Sequence, residues 1–103
     1  MRGAVANWSK TMANELGAFG ITVNNVLPGA TATERLTSIA QNKAAKLNKT
    51  EEEIMHQFES AVPMKRIGTA DEIAAAAAFL ASPDASYING INLPVDGGRT
   101  SSL

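Results

Sequence analysis

The chain of 103 residues contains no cysteine, which excludes a disulfide framework, a thiolate nucleophile and a sulfur-ligated metal site. It also lacks an excess of charge, because nine basic and ten acidic side chains leave a net charge of -1. Nucleic acid and anionic membranes attract basic surfaces, so we expect neither as a partner. No apolar run approaches the roughly 18 residues of a membrane span, and the first residues lack the apolar core of a signal peptide. We therefore expect a soluble, cytoplasmic protein.

Hydrophobic residues make up 45% of the chain and charged residues 18%, as in a folded globular protein. The length suits a single domain. Large apolar residues first recur every three or four positions, at Val5, Trp8, Met12 and Leu16. This spacing predicts a helix from Gly3 to Leu16 that ends at the glycines which follow.

Two segments have the composition of β-strands. Residues Ile21 to Leu27 are rich in β-branched side chains and stop at Pro28-Gly29, which predicts a strand, buried on both faces, followed by a tight turn. Alternating apolar residues predict a second strand within Tyr87 to Val95, before a turn at Asp96-Gly97-Gly98. Pro94 has no backbone N–H to donate to a neighbouring strand, so we expect this second strand at a sheet edge.

Polar helices are predicted at Thr33 to Leu47 and at Thr50 to Ala61. Thr50 with Glu53, and Thr69 with Glu72, have the spacing of capping boxes. The second box opens an alanine-rich helix that ends before Ser82-Pro83. The predicted order is helix, strand, helical insertion, helix, strand. It indicates an α/β fold in which a helix connects two parallel strands.

Two stretches resemble one family. Residues 12–33, MANELGAFGITVNNVLPGATAT, resemble the "ELxxxGIxVNxVxPGxxxT" pattern of short-chain dehydrogenases/reductases. Residues 63–98, which include KRIG and DGG, resemble the pattern that closes the same family, with Thr69-Ala70 where a proline is usual. The resemblance implies that residues 1–103 are the C-terminal part of a Rossmann-type, doubly wound parallel sheet. Residues 34–62 then correspond to the family's variable helical lid over the substrate.

In this family a Tyr-x-x-x-Lys motif precedes the first helix. The sequence Met1-Arg2-Gly3-Ala4-Val5 puts Arg2 at the usual lysine position, so the catalytic tyrosine, the serine and the glycine-rich phosphate loop would lie upstream of this chain. None of its glycines forms the phosphate-loop pattern after a strand. We therefore expect no complete catalytic set in this chain.

The resemblance implies that the loop after the first strand contacts the nicotinamide end of NAD or NADP. Pro28 and Gly29 shape this loop, the backbone of Thr31 matches the position that binds the carboxamide, and the hydroxyl of Thr33 matches one that reaches the carboxamide or the pyrophosphate. The alternative for Thr33 is that it only caps the next helix.

Several other residues have two interpretations. Trp8 and Met12 belong to the core or to a subunit contact, since the first helix packs in a dimer interface in this family. Arg66 and Gly68 organise a loop or touch substrate. Apolar lid residues either line a substrate pocket or pack helix to sheet, and they are Leu36, Ile39, Ile54, Met55 and Phe58. His56 is expected to be solvated, and no metal site is predicted.

These observations favour the C-terminal portion of an NAD(P)-dependent oxidoreductase, similar to 3-oxoacyl-[acyl-carrier-protein] reductases. Its partners would be a small carbonyl or alcohol substrate and further copies of itself. We expect the isolated chain to be inactive. The alternative is a non-enzymatic homologue that acts by self-association or by docking to a partner.

Overall fold

The computed structural model describes residues 2–100, and Arg2 by its backbone alone. Its regular elements, in chain order, are α1 (Arg2–Leu16), β1 (Asn25–Pro28), α2 (Glu34–Leu47), α3 (Glu51–Ser60), α4 (Ala70–Leu80) and β2 (Asn92–Val95). Short 3₁₀ turns follow α1 and α4, at Gly17–Phe19 and Pro83–Ala85. The predicted order of elements, and with it the α/β class, is confirmed.

The two strands pair in parallel, with Asn25 opposite Asn92 and Pro28 opposite Val95. Both are shorter than the sequence suggested. Before the ladder begins, side-chain amides connect the two segments. Asn89 accepts from the backbone N–H of Val23 at 2.9 Å through Oδ1, and Asn24 accepts from that of Ile91 at 3.1 Å. Side chains thus replace part of the backbone ladder, which is why the regular strands are short.

The prediction that the first strand is buried on both faces is wrong for the described residues. Asn25, Val26 and Leu27 are half-buried and Pro28 is exposed. The reason is that β1 has one neighbouring strand within residues 2–100. The N–H groups of Asn25 and Gly29 donate towards β2, at 2.9 and 3.0 Å. Backbone groups alternate along a strand, so those of Val26 face the opposite, unpaired edge.

The helix starts follow the predicted caps, with one difference. Thr69 accepts from the N–H of Glu72 while the Glu72 carboxylate accepts from the N–H of Thr69, which completes a capping box at α4. At α3 the Thr50 hydroxyl accepts from the N–H of Glu53 at 3.1 Å, without the return bond. The two glutamates differ in their surroundings. Within residues 2–100, Glu72 forms an ion pair with Arg66, and Glu53 forms none.

The best-packed part of the chain is the α2–α3 hairpin. Ile54 is fully buried between the two helices against Ala40 and Ala44, with Met55 and Phe58 partly buried around them. Ile54, Met55 and Phe58 therefore pack, as one of their two interpretations stated, but between two helices and not against the sheet. The chain as a whole is elongated, with dimensions of 55 × 26 × 24 Å. The α2–α3 hairpin is a small packed unit beside a short, open sheet.

Candidate functional site

The loop that leaves β1 is held against the end of β2. The N–H of Gly29 donates to the carbonyl of Val95 at 3.0 Å. A Cβ atom at position 29 would lie 2.6 Å from the Cβ of Asp96 and 2.8 Å from its Cα. Glycine is required here because the two backbones approach so closely. The chain bends at Ala30, directly after Pro28-Gly29, but the tight turn predicted there is not formed, because no backbone hydrogen bond closes it within residues 27–32.

Thr31 lies at the centre of a short parallel bridge with Gly68. Gly68 donates to the carbonyl of Ala30 at 3.0 Å and accepts from the N–H of Ala32 at 2.8 Å. The N–H and the carbonyl of Thr31 have no hydrogen-bond partner within residues 2–100. The Thr31 hydroxyl donates to the carbonyl of Gly29 at 3.0 Å. The backbone of Thr31 is therefore fixed in place with both of its polar groups available.

Thr33 is the N-cap of α2. Its hydroxyl oxygen accepts from the N–H of Leu36 at 3.3 Å, and its carbonyl accepts from the N–H of Thr37 at 3.1 Å. The capping interpretation is confirmed. A hydroxyl that accepts from a backbone N–H still has its own proton to donate. Capping and ligand binding are therefore compatible at Thr33.

All four residues predicted to bind the cofactor line one cleft, of about 670 Å³, between this loop, the first turns of α2 and the side of α4. The remaining wall is largely apolar and includes Leu36, Ile39, Ile73, Ala74 and Ala77. Leu36 and Ile39 thus belong to the cleft, unlike the lid residues packed around Ile54. An apolar cleft with a few convergent polar groups is typical of small-molecule sites.

Arg35 also lines this cleft and was missed by the sequence analysis. It occupies the first turn of α2, where a cation opposes the positive end of the helix dipole. The sequence feature that could have indicated a role for Arg35 was its position, two residues after Thr33. Arg35 thus adds a cationic side chain to a cleft whose other polar lining residues are Thr31 and Thr33.

Arg66 and Gly68 organise the loop before α4, as one of their two interpretations stated. Both nitrogens at the end of the Arg66 guanidinium bind the Glu72 carboxylate, each at 2.7 Å. The Arg66 hydrogen bond, followed by the backbone N–H of Thr69, lowers the pKa of Glu72 to about 2. Glu72 is therefore ionised throughout the neutral range.

The turn after β2 is confirmed by its hydrogen bonds. The carboxylate of Asp96 accepts from the backbone N–H groups of Gly98 and Thr100, each at 3.0 Å. Hydrogen bonds from Thr100, with those from the backbone of Gly98 and Arg99, lower the pKa of Asp96. The carbonyl of Gly97 in turn accepts from the N–H of Met64 at 3.2 Å, so this turn also holds the segment that follows α3.

The other candidate residues lie away from the cleft. His56 is exposed on α3, and residues 2–100 contain no group of three or more side chains suited to holding a metal ion. Trp8 is 62% exposed, so assigning it to the core is wrong, while Met12 is half-buried. The side chain of Arg2 lies outside the described part of the chain. Within that part no helix is long and apolar enough to cross a membrane.

The cleft can bind and orient a ligand, but its described residues offer little reactivity. The hydroxyls of Thr31 and Thr33 have no carboxylate or imidazole among their hydrogen-bond partners. Without such a base, a hydroxyl is a poor acid or nucleophile at neutral pH. Any proton transfer at this site requires a group that these residues do not supply.

Comparison with known proteins gives consistent matches. The family profile described as Enoyl-(Acyl carrier protein) reductase matches residues 1–100. The chain is 42% identical over 103 residues to the NADPH-dependent reductase BacG of Bacillus subtilis, with 100% of this chain and 40% of the relative covered. It is 41% identical over 97 residues to the 3-oxoacyl-[acyl-carrier-protein] reductase of Haemophilus influenzae, covering 94% of this chain and 36% of that protein.

Among solved structures, a short chain dehydrogenase family protein from Francisella tularensis superimposes with a TM-score of 0.93 at 33% identity. That match covers 97% of this chain and 41% of the other. The chain thus spans about 40% of the length of the relatives it matches.

Proposed function

Because the chain belongs to the short-chain dehydrogenase/reductase family, we propose that it forms the nicotinamide-side loop and the substrate lid of an NAD(P)-dependent oxidoreductase. Its fold is part of a Rossmann-type sheet, and relatives such as BacG are NADPH-dependent reductases. The reaction proposed for the whole protein is hydride transfer between a nicotinamide and a small carbonyl or alcohol compound. We assign it to the cytoplasm, in keeping with a cysteine-free sequence.

This proposal rests mainly on one observation, which concerns the backbone polar groups of Thr31. Its N–H and carbonyl are unpaired within residues 2–100, while both neighbours are bonded to Gly68. A carboxamide presents one acceptor and two donors, which complement those two groups. The bend that follows Pro28-Gly29 brings this backbone to the cleft at the C-terminal end of β1. Open α/β sheets bind their ligands at this end of the strands. The site therefore fits the amide end of a nicotinamide ring.

In this mechanism the chain's own residues bind and orient. The Thr31 backbone fixes the rotation of the carboxamide and hence which face of the ring is presented. The Thr33 hydroxyl would donate a hydrogen bond to the carboxamide or to the pyrophosphate. A nicotinamide held in this way would supply the hydride to a carbonyl substrate or accept it from an alcohol. The proton goes to or comes from a group outside residues 2–100, so we expect no turnover by the isolated chain.

The α2–α3 hairpin, within residues 34–62, is proposed as the substrate lid. Leu36 and Ile39 line the cleft beside Thr33, so a substrate seated there would meet apolar side chains as well as the Arg35 guanidinium. Closing such a cleft excludes water from the reacting carbon.

Titration of the chain with NADPH and NADH, followed by cofactor fluorescence, tests binding. A Kd below about 1 mM, roughly 4 kcal/mol, is expected if the loop is preformed. Thr31→Pro removes the N–H and should abolish this binding, whereas Thr31→Val keeps the N–H and should retain it. Circular dichroism checks that both variants fold. Equal binding by the two folded variants would contradict the assigned role of the Thr31 backbone.

A chimera tests activity. Residues 2–100 replace the matching C-terminal segment of the Haemophilus influenzae reductase, which restores the upstream residues of a working relative. We expect the chimera to consume NADPH with a carbonyl substrate, and Thr31→Pro in it to lose that activity. A folded chimera that binds NADPH without turnover would argue against the proposed reaction.

A second candidate function, association without catalysis, is favoured by the exposed face of α1. Val5 is 54% and Trp8 62% exposed, and the outer edge of β1 has no partner within residues 2–100. Exposed apolar side chains and open strand edges promote association. Homo-oligomerisation is proposed on the same grounds, and it is compatible with either function.

A further inference from the structure

The segment before α4 is held by one ion pair. Arg66 binds both carboxylate oxygens of Glu72 at 2.7 Å, and one of those oxygens also accepts from the N–H of Thr69 at 3.0 Å. A bidentate arginine–carboxylate contact fixes orientation as well as distance. Residues 66 to 69 are thereby fastened to the first turn of α4.

Gly68 lies inside this fastened segment and is bonded to the cleft loop on both sides of Thr31. It donates to Ala30 and accepts from Ala32. Within residues 2–100, the remaining hydrogen bond of residues 30–32 is the one from the Thr31 hydroxyl to the carbonyl of Gly29. The direction of the Thr31 N–H therefore depends on where Gly68 is held.

We propose that Arg66 is a positioning residue for the nicotinamide site, acting through Glu72 and Gly68 to fix the Thr31 backbone in its binding orientation. This inference rests on the proposed function. Arg66 lines a separate, smaller cavity behind the loop and is not among the residues lining the Thr31 cleft. Its effect is therefore indirect.

The ion pair is suited to setting geometry rather than stability. The side chains of Arg66 and Glu72 are 49% and 42% exposed, and exposed ion pairs contribute little to the free energy of unfolding. A loop held in its binding conformation before the ligand arrives loses less freedom on binding. Breaking the pair should therefore weaken cofactor binding with little change in thermal unfolding.

The experiment compares Arg66→Met, which removes the charge, with Arg66→Lys, which retains it. Amide hydrogen exchange is followed at Gly68 and Ala32, whose N–H groups make the two bonds around Thr31, and the Kd for NADPH is measured on the same proteins. Thr50→Ala is the matched control, because it removes a comparable helix cap at α3, away from the loop.

In Arg66→Met we expect exchange at both amides to accelerate and the Kd to rise, each by roughly three- to fivefold, with an unchanged melting temperature. Arg66→Lys should bring the exchange rates and the Kd close to their wild-type values. Thr50→Ala should change neither quantity. Unchanged exchange at Gly68 and Ala32 in a folded Arg66→Met variant would overturn the inference. If the wild-type chain binds no NADPH, the binding role proposed for this chain fails, whereas accelerated exchange in Arg66→Met still supports the link from Arg66 to the loop.

Discussion

Gly29 and Gly68 lie on facing segments of the same site but tolerate a side chain differently. A Cβ at position 29 would overlap the backbone and side chain of Asp96, whereas one at position 68 would lie 3.7 Å from the nearest atom, the carbonyl oxygen of Ala30. We predict that Gly29→Ala lowers the free energy of unfolding by about 1–3 kcal/mol through overpacking, and that Gly68→Ala changes it little. Denaturant unfolding of both variants checks this. Equal stability of the two would mean that Asp96 can move away at low cost.

Glu72 gives a prediction for pH dependence. Its carboxylate has a pKa of about 2 in the folded chain, below the roughly 4.3 of an unperturbed glutamate. A lowered folded-state pKa means that the stabilisation is fully present above pH 4.3 and is lost as the pH falls towards 2. The side chain in Glu72→Gln does not titrate, so the stability of this variant does not change with pH through position 72. Because both side chains of the pair are largely exposed, the stability difference between wild type and Glu72→Gln should be small at neutral pH. It should shrink further over this acidic interval, as measured by thermal unfolding.

Single residues were predicted well where the signal is local. Thr33 and Thr69 cap helices because a hydroxyl at that point satisfies a free N–H, and Gly29 was expected to bend the chain. The pairing of Arg66 with Glu72 was not predicted, because it depends on how the intervening residues fold back. Arg35 was missed for a similar reason, since its position becomes part of a cleft only because α2 and α4 lie on either side of that cleft.

At the scale of elements, the α2–α3 hairpin depends on one buried side chain. Ile54 is 0% exposed, whereas Ile39 on the same hairpin is 44% exposed. We predict that Ile54→Ala lowers the free energy of unfolding by about 2–5 kcal/mol, and that Ile39→Ala lowers it by less than 1 kcal/mol. Hydrogen exchange should accelerate in α2 and α3 more than in α4. Similar losses in the two variants would show that the hairpin has no packed centre of its own.

The helices were more predictable than the strands. Periodicity, caps and breakers locate every helix to within a few residues, because these signals act along the chain. The strands end where backbone pairing ends, and that depends on residues far away in sequence. Asn24 and Asn89 illustrate this, since their side chains take the place of ladder bonds that the composition of Ile21 to Leu27 and Tyr87 to Val95 led us to expect. The burial of β1 was misjudged for the same reason, because it depends on a second neighbouring strand.

At the scale of the whole molecule, the chain exposes more surface than a compact protein of its mass. Its accessible surface is 7319 Å², against about 5,500 Å² expected from size, and its radius of gyration is 16.7 Å, against about 13 Å. The excess exceeds the roughly 800 Å² that each partner buries in a standard interface. Association would cover such a surface.

We therefore predict that the purified chain self-associates at micromolar concentrations and that Trp8→Glu, on the exposed face of α1, shifts it towards monomer. Tyr87→Glu is the control, because Tyr87 is likewise an exposed aromatic residue but lies outside that face. Light scattering over a dilution series measures both. A wild-type chain that remains monomeric at all concentrations would contradict the prediction.

The parallel ladder joins Asn25 to Asn92, 67 positions apart, and the whole α2–α3 hairpin lies inside the loop that this pairing closes. The entropy of closing a loop grows only with the logarithm of its length, so even a twofold change in length costs about 0.6 kcal/mol. The hairpin has its own packed centre at Ile54 and makes its contacts over short distances along the chain. Insertions, deletions and replacements in this hairpin should therefore cost the ladder little, so the cleft wall that Leu36 and Ile39 provide can change while the framework that presents Thr31 stays the same.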